Sequence, residues 1–256
     1  MANDRLRAQM DAAKFDVVDL AAAIQVDPKT VERWIQRGRL PHRRHRVQTA
    51  ELLAAEETYL WPELLQDERV LAASQAEVVS IYTHRGAVPP DLWRRLAGEA
   101  TQRVDVLVYA GLFLLDSDPD LPAKLTARAQ EGLQGRLLYG SPSSTTVAAR
   151  GEEEGIGDYL AARIGLSLNY MAPVLATPGI EVRLHESVLY NSIYRFDDEM
   201  LVNTHVAGSP APQNPVIHLH RVEGGHLFDH YLRSFDRVWD SATPFERPGE
   251  QESFSA

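Results

Sequence analysis

Asp27-Pro28-Lys29-Thr30-Val31-Glu32-Arg33-Trp34-Ile35-Gln36-Arg37-Gly38-Arg39-Leu40-Pro41 reads as one short helix with its start and stop signals in place. Asp27 can accept from the free N–H groups of a first turn, and Pro28 suits the first helical position, where no N–H is needed. Gly38 suits a left-handed residue after the last turn, and Pro41 prevents continuation. Val31, Trp34 and Ile35 fall at i, i+3 and i+4 and make one buried stripe. Lys29, Thr30, Arg33, Gln36 and Arg37 are left on the outer face. Those side chains suit phosphates and base edges in a major groove.

Upstream, Leu6, Met10 and Ala13 predict a first amphipathic helix. Asp16 caps a second over 17–24, and Gln25-Val26-Asp27 is the turn between it and the basic helix. Two short helices joined by a tight turn, the second outwardly basic, define a helix-turn-helix. Ala21 and Ala22 let the two helices approach closely. Downstream, a further helix is expected over 47–59, with Ala50, Leu53 and Leu60 inward and Trp61-Pro62 closing it.

Charge is divided unevenly. Up to Gln48 there are ten basic residues and six acids, a surplus of four, whereas the whole chain carries −10 and the remainder therefore −14. No acid occurs from Arg33 to Arg46, which adds Arg39, Arg43, Arg44 and Arg46 to the candidate DNA contacts. A basic head on an acidic body is the electrostatic pattern of a DNA-binding module carried by a non-binding domain. The plainer alternative is a small helical bundle with solvated arginines.

The spacing Leu20-Ala21, Val26, Thr30-Val31, Trp34-Ile35 resembles the Cro/repressor-type (XRE family) helix-turn-helix over about the first quarter of the chain. Thr30 to Pro41 also looks like the heads of excisionase and MerR-type winged proteins. That second resemblance implies a wing for His42-Arg43-Arg44-His45-Arg46, which could otherwise line the backbone beside the groove. With no cysteine, disulfides and thiolate metal sites are excluded. No segment approaches a membrane span, and Met1 to Arg5 lacks a signal-peptide core, so the expected location is cytoplasmic, at the nucleoid when DNA-bound.

The expected divisions are a head over 1–65, a linker helix over 66–75, an α/β body over 76–244 and a disordered tail over 245–256. In the body, strands are predicted at 78–82, 104–110, 136–140, 181–185, 190–196, 200–205 and 216–221. Helices are predicted from Pro90, over 120–131 and over 227–239. The order strand, helix, strand, Arg136-Leu137-Leu138-Tyr139-Gly140-Ser141-Pro142-Ser143-Ser144, long helical insert, Gly179-Ile180-Glu181-Val182-Arg183-Leu184-His185 looks like the phospholipase D fold. The close of the chain, Ser234-Phe235-Asp236-Arg237-Val238-Trp239, resembles the end of one such half-domain. Nearly the whole sequence is similar to a group of actinobacterial regulators that join such a head to such a body.

Phospholipase D chemistry, which that resemblance implies, uses a His-x-Lys-x4-Asp motif from each of two halves. The histidine attacks phosphorus and the lysine holds phosphate oxygens. His185 stands where the histidine would be, but the next places read Ser187 and Ser192. After Lys29 the only lysine is Lys124, far from His185 in sequence. The expectation is a non-catalytic body, since fold alone does not fix activity. A phosphodiesterase or nuclease with a DNA-binding head is the alternative, as is an effector-free architectural or excisionase-like protein.

Ligand candidates remain in the body. Ser141, Ser143 and Ser144 follow a strand, where open α/β folds bind ligands, and could receive an anion, or they could be a plain strand-helix connection. Arg150 with Glu153 in the run Arg150-Gly151-Glu152-Glu153-Glu154-Gly155 is either a hydroxyl-binding loop or a solvated face. Asn191, Ile193 and Arg195 share one face of a strand; Tyr190, Ser192 and Tyr194 share the other. With His185, Asn203 and His205 on neighbouring strands, one face is unusually polar and needs either a ligand or an internal network. The pairs His218/His220 and His226/His230 have spacing permissive for zinc, but no metal or other cofactor is expected. The reading is a homodimer on double-stranded operator DNA, its body sensing a small molecule.

Overall fold

The computed structural model describes residues 2–66, 68–175 and 177–245, with backbone alone between 65 and 71. The chain divides into two compact units, Met1–Ala72 and Ala73–Ala256. Beyond Phe245, the expected disordered tail lies outside the described residues.

The first unit is all helical: α1 (Asp4–Ala12), α2 (Val17–Ala23), α3 (Pro28–Arg37), α4 (Arg43–Leu52) and α5 (Glu57–Leu60). Leu6, Leu20, Val31, Trp34, Leu53 and Trp61 make its core. Asp16 caps α2 in a reciprocal box with Asp19, and the Asp27 carboxylate accepts from Lys29 N at 2.8 Å. Gly38 ends α3 in the left-handed region, at φ 57°. Asn3 ties the unit together: its carboxamide oxygen accepts from Leu6 N at 3.0 Å, and its Nδ2 donates to Leu60 O at 2.8 Å.

The helix expected over 47–59 is two helices instead. It begins four residues early, at Arg43, and breaks where Ala54 takes φ 48°. The break turns the chain so that Leu53 and Leu60 can both reach one core. Residues 43–46 are therefore the first turn of α4, and the wing expected for 42–46 is absent.

A short 3-10 turn (Pro62–Gln66) and α6 (Glu68–Ala76) occupy the expected linker, apart from residue 67, which lies outside the described residues. The second unit is built on one sheet: β1 (Val78–Tyr82), β2 (Arg103–Leu107), β3 (Gln134–Gly140), β4 (Ile180–His185), β5 (Asn191–Phe196), β6 (Glu199–Thr204), β7 (Val216–His220) and β8 (Thr243–Pro244). The spatial order is β1-β7-β6-β5-β2-β3-β4-β8. Strands β2, β3 and β4 are parallel, and the others join antiparallel. The helices are α7 (Pro90–Glu99), α8 (Leu112–Ser117), α9 (Leu121–Gln130), α10 (Thr145–Glu153), α11 (Tyr159–Tyr170) and α12 (Leu227–Ser241). The expected architecture, an all-α helix-turn-helix head before an α/β body, is the one observed. Strand β2 stops three residues sooner than expected; Val108-Tyr109-Ala110 stay largely buried but leave the sheet towards Gly111, at φ 67°.

The two faces of the sheet differ in chemistry. On one, Val104, Val106, Leu137, Tyr139 and Phe196 meet leucines of α8 and α9. On the other, Asp105 is fully buried and holds two arginines. Arg136 forks onto both its oxygens at 2.7 and 3.0 Å, and Arg195 reaches Oδ2 at 3.0 Å. Helix α12 covers this face, with Phe235 and Trp239 under Arg136 and Phe228 under Arg195. Glu77, also buried, accepts at its carboxylate from Leu227 N at 2.8 Å and Phe228 N at 3.3 Å, and so caps α12 from the other end of the body's sequence.

Candidate functional site

In the first unit, α3 presents Lys29, Arg33, Gln36 and Arg37 outward, with Thr30 half-buried beside them. Arg39, Arg43 and Arg44 are exposed as well. Among the described residues, none of these six cations is ion-paired. A concavity of ≈ 230 Å³ runs past Thr30, Arg33, Arg39 and His42. Arg46, expected with them, is not available: its Nε meets Glu57 at 2.5 Å and its Nη1 donates to Pro41 O at 2.9 Å. It joins α4 to α5 and is structural.

In the second unit the expected ligand residues separate. Ser144 caps α10, accepting from Val147 N at 3.2 Å, while Ser143 is exposed and Ser141 half-buried at the end of β3. Arg150 is nearly buried and satisfied. Its donors reach Glu154 at 2.8 Å, Glu153 at 3.0 Å and Ser209 O at 3.1 Å. Glu153 also accepts from Gly208 N at 3.0 Å, which with Arg150 holds its carboxyl below the usual range. The acidic run is thus part clasp and part solvated face: Glu153 and Glu154 hold Arg150, while Glu152 and Glu153 stay exposed, and the run makes no hydroxyl-binding loop. Arg195 belongs to the Asp105 network on the opposite face, with half-buried Asn191 on its side of β5. Tyr190 is 79% exposed and precedes the strand. Asn203 is fully buried and donates to Asn214 O and Pro215 O. His185 donates from Nε2 to Val108 O at 3.0 Å; burial lowers its pKa, opposed by the backbone of Val108 and Ser187.

Tyr194 and His205 do share a cleft, of ≈ 100 Å³, with residues the sequence reading missed. Leu189 O can only accept, so His205 Nδ1 donates to it at 3.1 Å; Nε2 is then the acceptor for the Ser192 hydroxyl, also at 3.1 Å. Tyr109 stacks on His205 at 6.0 Å, its hydroxyl accepting from Leu189 N. Burial pulls the His205 pKa down to about 4, with the Arg150 and Arg85 charges adding to the effect against Leu189 O and Glu153. Ser192 and His205 have the spacing of a nucleophile and its base, but so weak a base abstracts protons poorly at neutral pH. Arg85 lies 4.0 Å over the Phe113 ring, and Arg163 of α11 stands at the mouth. These arginines come from segments 78 residues apart with no local motif, so nothing in the sequence signalled that they converge.

The His-x-Lys-x4-Asp spacing can also be laid on β5 and its turn. It then falls on Tyr190, Ser192 and Asp197, which keeps the aspartate and again lacks the lysine. Asp197 accepts from the backbone N–H groups of Thr101, Gln102 and Arg103 and is structural. The histidine pairs form no metal group: His218 and His220 both lean on Glu199, and among the described residues no cluster of three ligating side chains occurs. No helix among them is long and apolar enough to cross a membrane.

No family model matches the chain, and no curated protein does. Among solved structures it is similar to TrmBL2, an archaeal chromatin protein described as showing a novel mode of DNA binding. That likeness has a TM-score of 0.41 and 14% identity, and covers 86% of this chain and 72% of that one. It is also similar to Nuc, a phospholipase D family member from Salmonella typhimurium, with a TM-score of 0.38 and 13% identity, covering 66% of this chain and 99% of that one.

Proposed function

We propose that the chain is a transcriptional regulator: a sequence-specific, DNA-binding homodimer whose acidic body is non-catalytic and takes a small effector, a phosphate-bearing one first. The observation that carries this reading is the outer face of α3, where Lys29, Arg33 and Arg37 stand exposed and unpaired opposite the buried Val31, Trp34 and Ile35. A capped helix with guanidinium groups free for phosphates and guanine edges is the element such readers place in the major groove. Pairing follows from size, because one such module buries little DNA surface and gains specificity from a second copy.

Selection of the intact protein on a random duplex library tests the reading. The expected product is an enriched site with two halves about 34–36 Å apart. No enrichment removes the DNA-reading function, and a single half-site bound by a monomer removes the homodimer. The non-catalytic part rests on the missing lysine and on the weak basicity of His205. Turnover of a generic phosphodiester by the purified protein, lost in Ser192→Ala or His205→Gln, would overturn it.

A further inference from the structure

We propose that the cleft between Arg85 and Arg163 is a receptor for the oxyanion head of a small ligand, a phosphoryl or carboxylate group. The inference deepens the effector reading and rests on it only for the biological use of the site.

The charge balance points to an anion. Three guanidinium groups lie at or behind the cleft, those of Arg85, Arg150 and Arg163, and two carboxylates, Glu153 and Glu154. Both carboxylates are committed to Arg150. Among the described residues, neither Arg85 nor Arg163 has a carboxylate within ion-pair distance. Arg85 is half-buried over Phe113, so its charge is partly desolvated and left without a counterion. A planar guanidinium fork in that state is matched by the paired oxygens of a carboxylate or phosphate.

The neutral groups around it agree. His205 has both ring nitrogens engaged, by Leu189 O and Ser192, and stays neutral, so it does not itself draw in the anion. The Tyr194 phenol beside Arg85 keeps its proton, because burial raises its pKa more than Arg85 and the Ser192 hydrogen bond lower it, and so adds no negative charge to the cleft. Size sets the ligand class. A cleft of ≈ 100 Å³, open to solvent, takes the oxyanion end of a ligand rather than a whole nucleotide. The rest of the ligand therefore extends past Arg163 into solvent.

The test is titration of the full-length protein with inorganic phosphate and, separately, acetate, followed by the His205 imidazole resonances. A bound anion raises the pH at which His205 takes its proton, which a purely structural cleft does not do. Arg85→Gln and Arg163→Gln are each expected to weaken binding about tenfold, the loss of one charge-assisted contact, and Arg94→Gln, exposed on α7 and outside the cleft, to leave it unchanged. Arg163 is exposed, so its variant tests the site even if Arg85→Gln fails to fold. A stronger response to phosphate assigns a phosphoryl head, and an equal or stronger one to acetate a carboxylate. Binding that survives both arginine variants, or no response from His205 at tens of millimolar anion, overturns the proposal. Anion binding that leaves DNA affinity unaltered keeps the site and removes the effector role.

Discussion

Arg33 and Arg43 are both exposed and unpaired, yet their positions give them different work. Arg33 lies mid-helix on the outward face of α3, which the proposed reading sets against base edges; Arg43 opens α4, which that reading sets beside the groove. Arg33→Ala should relax the base preference at one position of the site, at a cost of about 1–3 kcal/mol. Arg43→Ala should weaken all duplexes alike and flatten the salt slope by about one. Binding isotherms on matched and mismatched duplexes at several salt concentrations separate the two, and identical behaviour would erase the distinction. His205 yields a prediction about acid. Its folded-state pKa, about 4, lies below its ordinary 6.5, so as pH falls the unfolded chain takes up the proton first. Stability from this group is complete above pH 6.5 and is lost on the way down to pH 4. The melting temperature should fall through that window, and fall less in His205→Gln.

At the scale of elements, α3 owes its limits to two residues. Asp27→Ala removes the acceptor for Lys29 N and should cost about 1 kcal/mol, seen as faster amide exchange in the first turn of α3. Gly38→Ala forces a side chain onto φ 57° and should fray the other end. No change in α3 exchange for either variant would mean that packing of Trp34 and Ile35 alone sets these limits. Such punctuation is local, which is why α2, α3 and nearly every strand of the body were legible in the sequence. The helix after Pro41 was not, because the break at Ala54 answers a tertiary need, the turning of Leu53 and Leu60 into one core. The body's site was legible only at Tyr194 and His205. Arg150, Glu153 and Arg195 are the right residue types for a ligand, but their distant partners, Ser209, Gly208 and Asp105, are set by topology. The alternation along β5 was read correctly; what lay opposite each face required β2 and α12 to be in place.

For the whole molecule, two units with separate cores imply separable functions. A fragment ending at Ala72 should keep its helical circular dichroism and choose the same bases as the full chain, with lower affinity if, as proposed, the body pairs two heads. A fragment that binds as tightly as the full chain would place dimerisation in the head. The cap that Glu77 lends to α12 has a consequence for how the protein is made. The carboxylate and the amides that receive it are 150 residues apart, the acid emerging early from the ribosome and Leu227 late. Until that last helix arrives, the nascent body carries an acid with no amides to meet it and an uncovered sheet. The head can thus mature during translation while the body waits for the final stretch to close it.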